Sequence, residues 1–197
     1  MLYCTGAPKT GTHLLLKALH LFGEECFDAV HSHKDHNFPF KTTDKRVHII
    51  RNPRNVLISW VRYQKLPRND YTIIGSMDYT LKRMEGHLGW TTEDHCLTIR
   101  FEELLTDPNV INKIGEYLGV TPIENHFKLL WGGTPTFTND LTEWRDFWTD
   151  DVANAWKRKG GLEVENKMCY FNEDTPERQV NSGYQFTGSK HYVSVKT

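Results

Sequence analysis

The sequence predicts an α/β fold of three layers, a mostly parallel sheet flanked by helices. Two observations carry this. Short apolar runs alternate with helix-periodic segments from Leu2 to Leu118, the pattern of parallel strands joined by helical crossovers. A glycine-bounded turn, Gly6 to Gly11, separates the first run from the first helix. The 197 residues are 38% hydrophobic and 25% charged, which suits one domain with its own core and excludes low-complexity, collagen-like and coiled-coil chains. A single domain over 1–197 is expected, with 172–197 as a polar, aperiodic extension.

Each element has its own signal. Leu2 to Thr5 is a short strand stopped by Gly6. Thr10 to Phe22 is a helix, with Leu14, Leu15, Ala18, Leu19 and Phe22 on one stripe. Phe27 to His31 is a second strand and Arg46 to Ile50 a third, the latter bounded by Asn52-Pro53. Pro53 suits a first helical position, and Val56 to Leu66 continues that helix. A polar loop leads to a helix from Ser76 to Leu88, and Cys96 to Arg100 is a fourth strand. Asp107-Pro108 starts another helix, with Ile111, Ile114, Tyr117 and Leu118 inward and Gly119 at its end. Ile123 to Trp131 is a further helix, and Thr149-Asp150-Asp151 caps one running to Lys159. Ligands of such sheets bind at the carboxyl ends of the strands.

The net charge is −1, which argues against a protein whose main task is to coat nucleic acid. The balance is uneven: residues 1–66 hold ten Lys/Arg against five Asp/Glu, so an anion site is expected in the first third. Cys4, Cys26, Cys96 and Cys169 form no CxxC pair and are expected as free thiols of a reducing compartment. No run approaches the roughly 18 apolar residues of a spanning helix. The start lacks a basic region followed by a long apolar run, so neither membrane nor signal peptide is expected and the location is cytoplasmic.

The segment Gly6-Ala7-Pro8-Lys9-Thr10-Gly11-Thr12-His13 is built for phosphate. Its glycines let the backbone wrap an anion, and the new helix aims free N–H groups and its positive dipole end at it. Lys9, Thr10 and Thr12 add a cation and hydroxyls. In the nucleotide-kinase loop G-x-x-x-x-G-K-[ST], a lysine follows the second glycine. Here Thr12 holds that place and Lys9 lies inside the loop, which counts against an ordinary ATP or GTP hydrolase. Pro8-Lys9-Thr10-Gly11-Thr12 resembles the P-K-[ST]-G-T loop of sulfotransferases, which use 3′-phosphoadenosine-5′-phosphosulfate (PAPS) as donor and release 3′-phosphoadenosine 5′-phosphate (PAP).

A second segment strengthens the resemblance. Arg51-Asn52-Pro53-Arg54-Asn55-Val56-Leu57-Ile58-Ser59 is similar to the family's R-[DN]-P-R-[DN]-V-x-x-S. Arg51 leaves a strand end and Ser59 lies eight positions on, about two helical turns, so guanidinium and hydroxyl converge on one phosphate. The resemblance assigns both to the donor's 3′-phosphate. Arg54 and Arg62 are expected on a solvated helix face. Ile99-Arg100-Phe101-Glu102-Glu103-Leu104 resembles the family's strand and Y-E-[DE]-L turn, with Phe101 at the adenine site or in the core. Glu143-Trp144-Arg145-Asp146-Phe147-Trp148-Thr149 resembles G-x-W-[KR]-x-x-F-[ST]. Phe137-Thr138-Asn139 stands where the family often carries Arg-Lys-Gly over the 3′-phosphate, and the family's tryptophan after the phosphate loop is replaced near Leu14. The resemblance implies a P-loop-like nucleotide-binding fold.

The second strand leads into His31-Ser32-His33-Lys34-Asp35-His36. A sulfuryl acceptor must lose a proton as it attacks sulfur, and histidine suits that task. Aligned with the family's K-[ST]-H, His33 is the candidate base, His31 replaces the lysine, and His36 is the second candidate. The same spacing invites zinc, but the segment offers no clear fourth ligand and no metal is expected. The implied site comprises His33 and Lys9 as catalytic groups. Lys9, Thr10, Gly11, Thr12, His13, Arg51, Ser59 and Phe101 would hold PAPS. The acceptor is a small molecule or glycan bearing a hydroxyl or amine. A small-molecule P-loop kinase and a non-catalytic nucleotide-binding module are the alternatives.

Overall fold

Four parallel strands, β1 (Leu2–Thr5), β2 (Val30–Ser32), β3 (Lys45–Ile50) and β4 (Cys96–Arg100), form one sheet in the order β2-β1-β3-β4. The structure, a computed structural model, describes residues 1–26, 28–41, 43–92, 95–122 and 141–170. The expected helix from Ile123 to Trp131, the Phe137-Thr138-Asn139 segment and the 172–197 extension lie outside the described residues.

The helices divide between the two faces. One layer contains α1 (Thr12–His20), α4 (Phe101–Thr106) and α5 (Asn109–Leu118). It packs Leu14, Leu15, Leu19, Leu104, Ile111 and Ile114 on Cys4, Val47, Ile49 and Ile99. The other contains α2 (Pro53–Tyr63), α3 (Asp70–Glu85), α6 (Asp150–Arg158) and α7 (Gly161–Lys167), grouped with Ile50. Ile49 and Ile50 serve opposite layers because successive side chains of a strand point to opposite faces. Among the described residues no helix is long and apolar enough to cross a membrane.

The strand register decides where chemistry can occur. Thr5 pairs with Ser32 and with His48, and Ile50 with Arg100, so the strands end along one edge. The residues that leave this edge are Gly6, His33, Arg51 and Phe101. The chain reverses direction across the sheet between β1 and β3, and the crevice at such a switch point is where open α/β sheets take ligands.

Several boundaries differ from expectation for local reasons. The first helix starts at Thr12 rather than Thr10 because Lys9 and Gly11 have left-handed φ of 73° and 103°. β2 is shorter than expected, Val30–Ser32. α3 starts earlier than Ser76 because Asn69 and Thr72 form a capping box, with the Thr72 N–H donating to Asn69 Oδ1 at 3.1 Å. Phe101 to Leu104, expected as a turn, opens the short helix α4, and Glu103 accepts from the Arg100 N–H at 3.4 Å. Cys4 and Cys26 are buried thiols, Cys96 is half-buried and Cys169 is exposed.

The largest correction concerns Arg54 and Arg62. Arg54 is not solvated: it is 4% exposed and forms two hydrogen bonds to Glu165 of α7, Nε–Oε1 at 2.7 Å and Nη2–Oε2 at 3.2 Å. Trp156 Nε1 also donates to Glu165 Oε1 at 3.0 Å, and the rings of Trp144 and Trp148 flank the guanidinium at 4.4 and 5.0 Å. The helical spacing that turned Arg54 outward in the sequence did not foresee a second layer over α2. Arg62 is half-buried and donates to Glu143 at 2.7 Å.

Removing one partner of a buried ion pair strands the other, at a cost of about 3–5 kcal/mol, whereas apolar replacement of both can be neutral. Glu165→Ala is therefore expected to lower the unfolding free energy in urea by about that amount. Arg54→Met/Glu165→Leu should recover most of it. A single variant with wild-type stability would contradict the role given to this pair.

Candidate functional site

The loop after β1 is held in shape by its own atoms. The Thr10 N–H and hydroxyl both donate to the Ala7 carbonyl, at 3.2 and 2.7 Å. The Thr10 side chain is thus turned into the loop, which it braces. Gly6 and Gly11 are required by space: a Cβ on Gly6 would meet Thr10 Oγ1 at 2.6 Å, and one on Gly11 would meet the Phe101 ring at 2.3 Å. Lys9, a non-glycine residue at φ 73°, carries local backbone strain that the loop sustains.

A cavity of about 470 Å³ opens over this loop. Lys9, Gly11, Thr12, His13, His33, Arg51, Ser59 and Phe101 line it, so the fold gathers these sequence-predicted site residues from four separate segments. His36 does not line it; its ring packs edge-to-face on Trp90, with centroids 4.9 Å apart. Among the described residues no three His, Cys, Asp or Glu side chains are grouped as a metal ion needs. The cavity also takes in Trp60, Tyr63 and Gln64, which the sequence reading did not assign. The signal was present: Tyr63 follows Ser59 by four positions and Trp60 by three, and Gln64 follows Trp60 by four, the spacings that make neighbours on a helix face.

The cations lie close together. Arg51 Nη1 donates to the Lys9 carbonyl at 3.3 Å, and its guanidinium stacks on Phe101 at 4.3 Å. Arg51 is only 6% exposed, and its buried Nε has no hydrogen-bond partner. Burial pulls the Arg51 pKa down, only partly offset by Glu102 and Tyr170. Lys9 Nζ lies over the Tyr63 ring, 4.4 Å from its centroid. Burial lowers its pKa first, then the positive charges of Arg51 and Arg62. A lysine and an arginine pressed together with an unmatched N–H form a site that an anion stabilises. Ser59 lies 7% exposed in the second turn of α2, facing the same cavity.

His13 and His33 complete the lining. His33 Nδ1 lies 2.7 Å from the Gly6 carbonyl. A carbonyl only accepts, so Nδ1 carries the proton, and the neutral ring keeps its lone pair on Nε2. The His33 segment is tied to the end of α3. The His36 N–H donates to the Gly86 carbonyl at 2.8 Å, and Trp90 Nε1 donates to the Lys34 carbonyl at 3.4 Å. His31 shares a 2.7 Å hydrogen bond with Thr12 Oγ1, stacks on His13 at 4.6 Å and meets His33 edge-on at 4.6 Å. Burial, with His33 and His13 adding to it, holds the His31 pKa down at about 4, so it stands as a neutral ring where the resemblance places a lysine.

Burial also holds His87 down to about 4 from the ordinary 6.5, and fully buried His48 well below its ordinary value. The unfolded chain takes up these protons first, so stability is complete above about pH 6.5 and falls as pH drops towards 4. Urea midpoints measured from neutral pH to about pH 4.5 should fall steadily, and His87→Gln should flatten the slope. Midpoints that stay level over that window would contradict the burial of neutral imidazoles.

No family model matches the chain, and no curated protein matches it by sequence. Among solved structures, the fold is similar to that of mouse sulfotransferase SULT7A1 complexed with PAP. The match has a TM-score of 0.66 at 16% identity and covers 86% of each chain. The likeness places this chain's parallel sheet and flanking helices in a sulfotransferase-like fold.

Proposed function

We propose that the chain is a sulfotransferase that moves a sulfuryl group from PAPS to a hydroxyl or amine acceptor, a small molecule or a glycan. The observation that carries this reading is the convergence of Lys9, Arg51 and His33 on one cavity at the switch point of the sheet. The residues fit the donor on physical grounds. The buried Arg51 Nε has no partner, Ser59 faces the same space, and the loop offers N–H groups at the start of α1. Arg51 and Ser59 would hold the 3′-phosphate, with the Lys9–Thr12 loop and His13 around the 5′-phosphosulfate. Phe101, already stacked on Arg51, would stand beside the adenine.

In the transfer, the acceptor oxygen or nitrogen bonds to sulfur as the bond from sulfur to the bridging phosphate oxygen breaks. His33 Nε2 takes the acceptor proton, because Nδ1 is committed to the Gly6 carbonyl. Lys9 meets the negative charge that develops on the departing 5′-phosphate. Its seat over Tyr63 leaves it within the cavity, and Arg51 and Arg62 keep its charge in need of an anion. His31, neutral at working pH, positions Thr12 and contributes no cation. The position of Lys9 before the second glycine disfavours the kinase alternative, whose loop places the lysine after it.

Titration with PAP against ATP tests donor choice: PAP should bind at least about tenfold more tightly. Lys9→Ala should abolish transfer and weaken PAP. His33→Ala should lower turnover by about 10²–10⁴ while leaving PAP affinity intact. Equal binding of ATP would favour the kinase, PAP binding without transfer to any acceptor would favour a binding module, and full transfer by His33→Ala would reject this base.

A further inference from the structure

A second cavity, of about 370 Å³, is lined by Asp35, Tyr79, Lys82, Arg83, Gly86 and His87. On two sides the linings of the two cavities come together. On one, Trp60 of the first cavity stacks on Tyr79 of the second, with centroids 4.5 Å apart and planes 25° apart. On the other, His33 of the first is followed in the chain by Lys34 and by Asp35 of the second. A molecule with its reacting atom at His33 Nε2 would pass Trp60 and Tyr79 to reach the second cavity.

The chemistry there is cationic. Tyr79, Lys82, Arg83 and Gly86 recur at the spacing of one helix face, so α3 presents ring and charges together. Arg83 Nε donates to the Tyr79 hydroxyl at 3.3 Å, and its guanidinium lies 5.4 Å from that ring's centroid, which orients the fork beside the aromatic surface. Among the described residues neither Lys82 nor Arg83 is ion-paired with a carboxylate. Against these two charges stands Asp35, whose Oδ1 accepts from the Asn37 N–H at 3.2 Å. His87, held neutral by burial, adds no charge of its own. Aromatic walls fix a planar or sugar ring, and the cation pair fixes a carboxylate at its far end.

We propose that the second cavity is an acceptor subsite selecting ring-bearing acceptors that carry a carboxylate, with the ring on Trp60–Tyr79 and the carboxylate on Lys82 and Arg83. The inference rests on the sulfotransferase reading for what happens at His33, but the binding it describes is separate. It accounts for two cations that, among the described residues, pair with no carboxylate and lie beside an aromatic stack.

The test uses 4-hydroxyphenylalkanoates of increasing chain length and the matching primary amides. Transfer kinetics are measured with PAPS, and equilibrium binding with and without PAP. For the best-fitting length the carboxylate should have a KM and a Kd about tenfold below those of its amide. In Lys82→Ala/Arg83→Ala that ratio should collapse to about one, with PAP affinity within twofold of wild type. Tyr79→Ala should weaken carboxylate and amide together, since both lose the ring contact. Absence of a carboxylate preference in the wild type, or its survival in the double variant, overturns the subsite. PAP binding with no such preference rejects the subsite and leaves the sulfotransferase reading standing. Failure of PAP to bind, with carboxylate selectivity intact, does the reverse.

Discussion

The buried pair of Arg54 and Glu165 is the interaction on which the site most depends. Arg54 lies three residues after Arg51 and five before Ser59, on the helix whose second and third turns line the cavity. Its bidentate contact to Glu165, closed by the Trp156 N–H and covered by Trp144 and Trp148, fastens α7 and the Trp144 turn onto α2. Asn55 adds a second tie, its Nδ2 donating to the Leu141 carbonyl at 2.6 Å. A charge so placed is costly to bury alone, so the residues near the end of the described chain are needed to hold the Arg51–Ser59 arm near its start.

The start of that arm is fixed just as closely. Asn52 caps α2, accepting from the Arg54 N–H at 3.0 Å, while its own N–H donates to Glu102 Oε1 at 3.0 Å. Tyr170 donates to the other oxygen of Glu102. The ends of β3 and β4 are thereby joined, which sets Arg51 against Phe101, and Phe101 in turn lies where only a glycine at position 11 leaves room. Phosphate loop, strand-end arginine and aromatic ring form one packed unit. Each of the three limits the freedom of the other two, and a site preorganised in this way suits the charged donor proposed for it.

Much of this was legible in the chain. The glycine spacing, the Arg51-to-Ser59 interval and the Asn52-Pro53 cap are local features, and local sequence dictates turn and helix-start geometry. The cysteines, the alternation of strand and helix, and the grouping of positive charge in residues 1–66 were equally plain. The fate of the arginines was not. Arg54 and Arg62 have the spacing of outward residues on α2 considered alone, and only the arrival of α7 and the Trp144 turn makes one of them buried and the other half-buried. The histidines were ambiguous for the same reason. Nothing within His31-Ser32-His33-Lys34-Asp35-His36 says that His33 meets the Gly6 carbonyl, that His31 meets Thr12, or that His36 turns to Trp90.

The sequence by itself determined the class of fold, the glycine-bounded turn after the first strand and the interval from Arg51 to Ser59. These follow from backbone preferences and from spacing along single elements, which act within a few residues. Only the tertiary structure decided which nitrogen of His33 is left free, that Lys9 and Arg51 line one cavity, and that Tyr79, Lys82 and Arg83 of α3 line another. Those outcomes depend on strand register and on helices packing across the sheet. Such contacts join residues far apart in the chain, whose burial and charge are fixed only once the layers have closed.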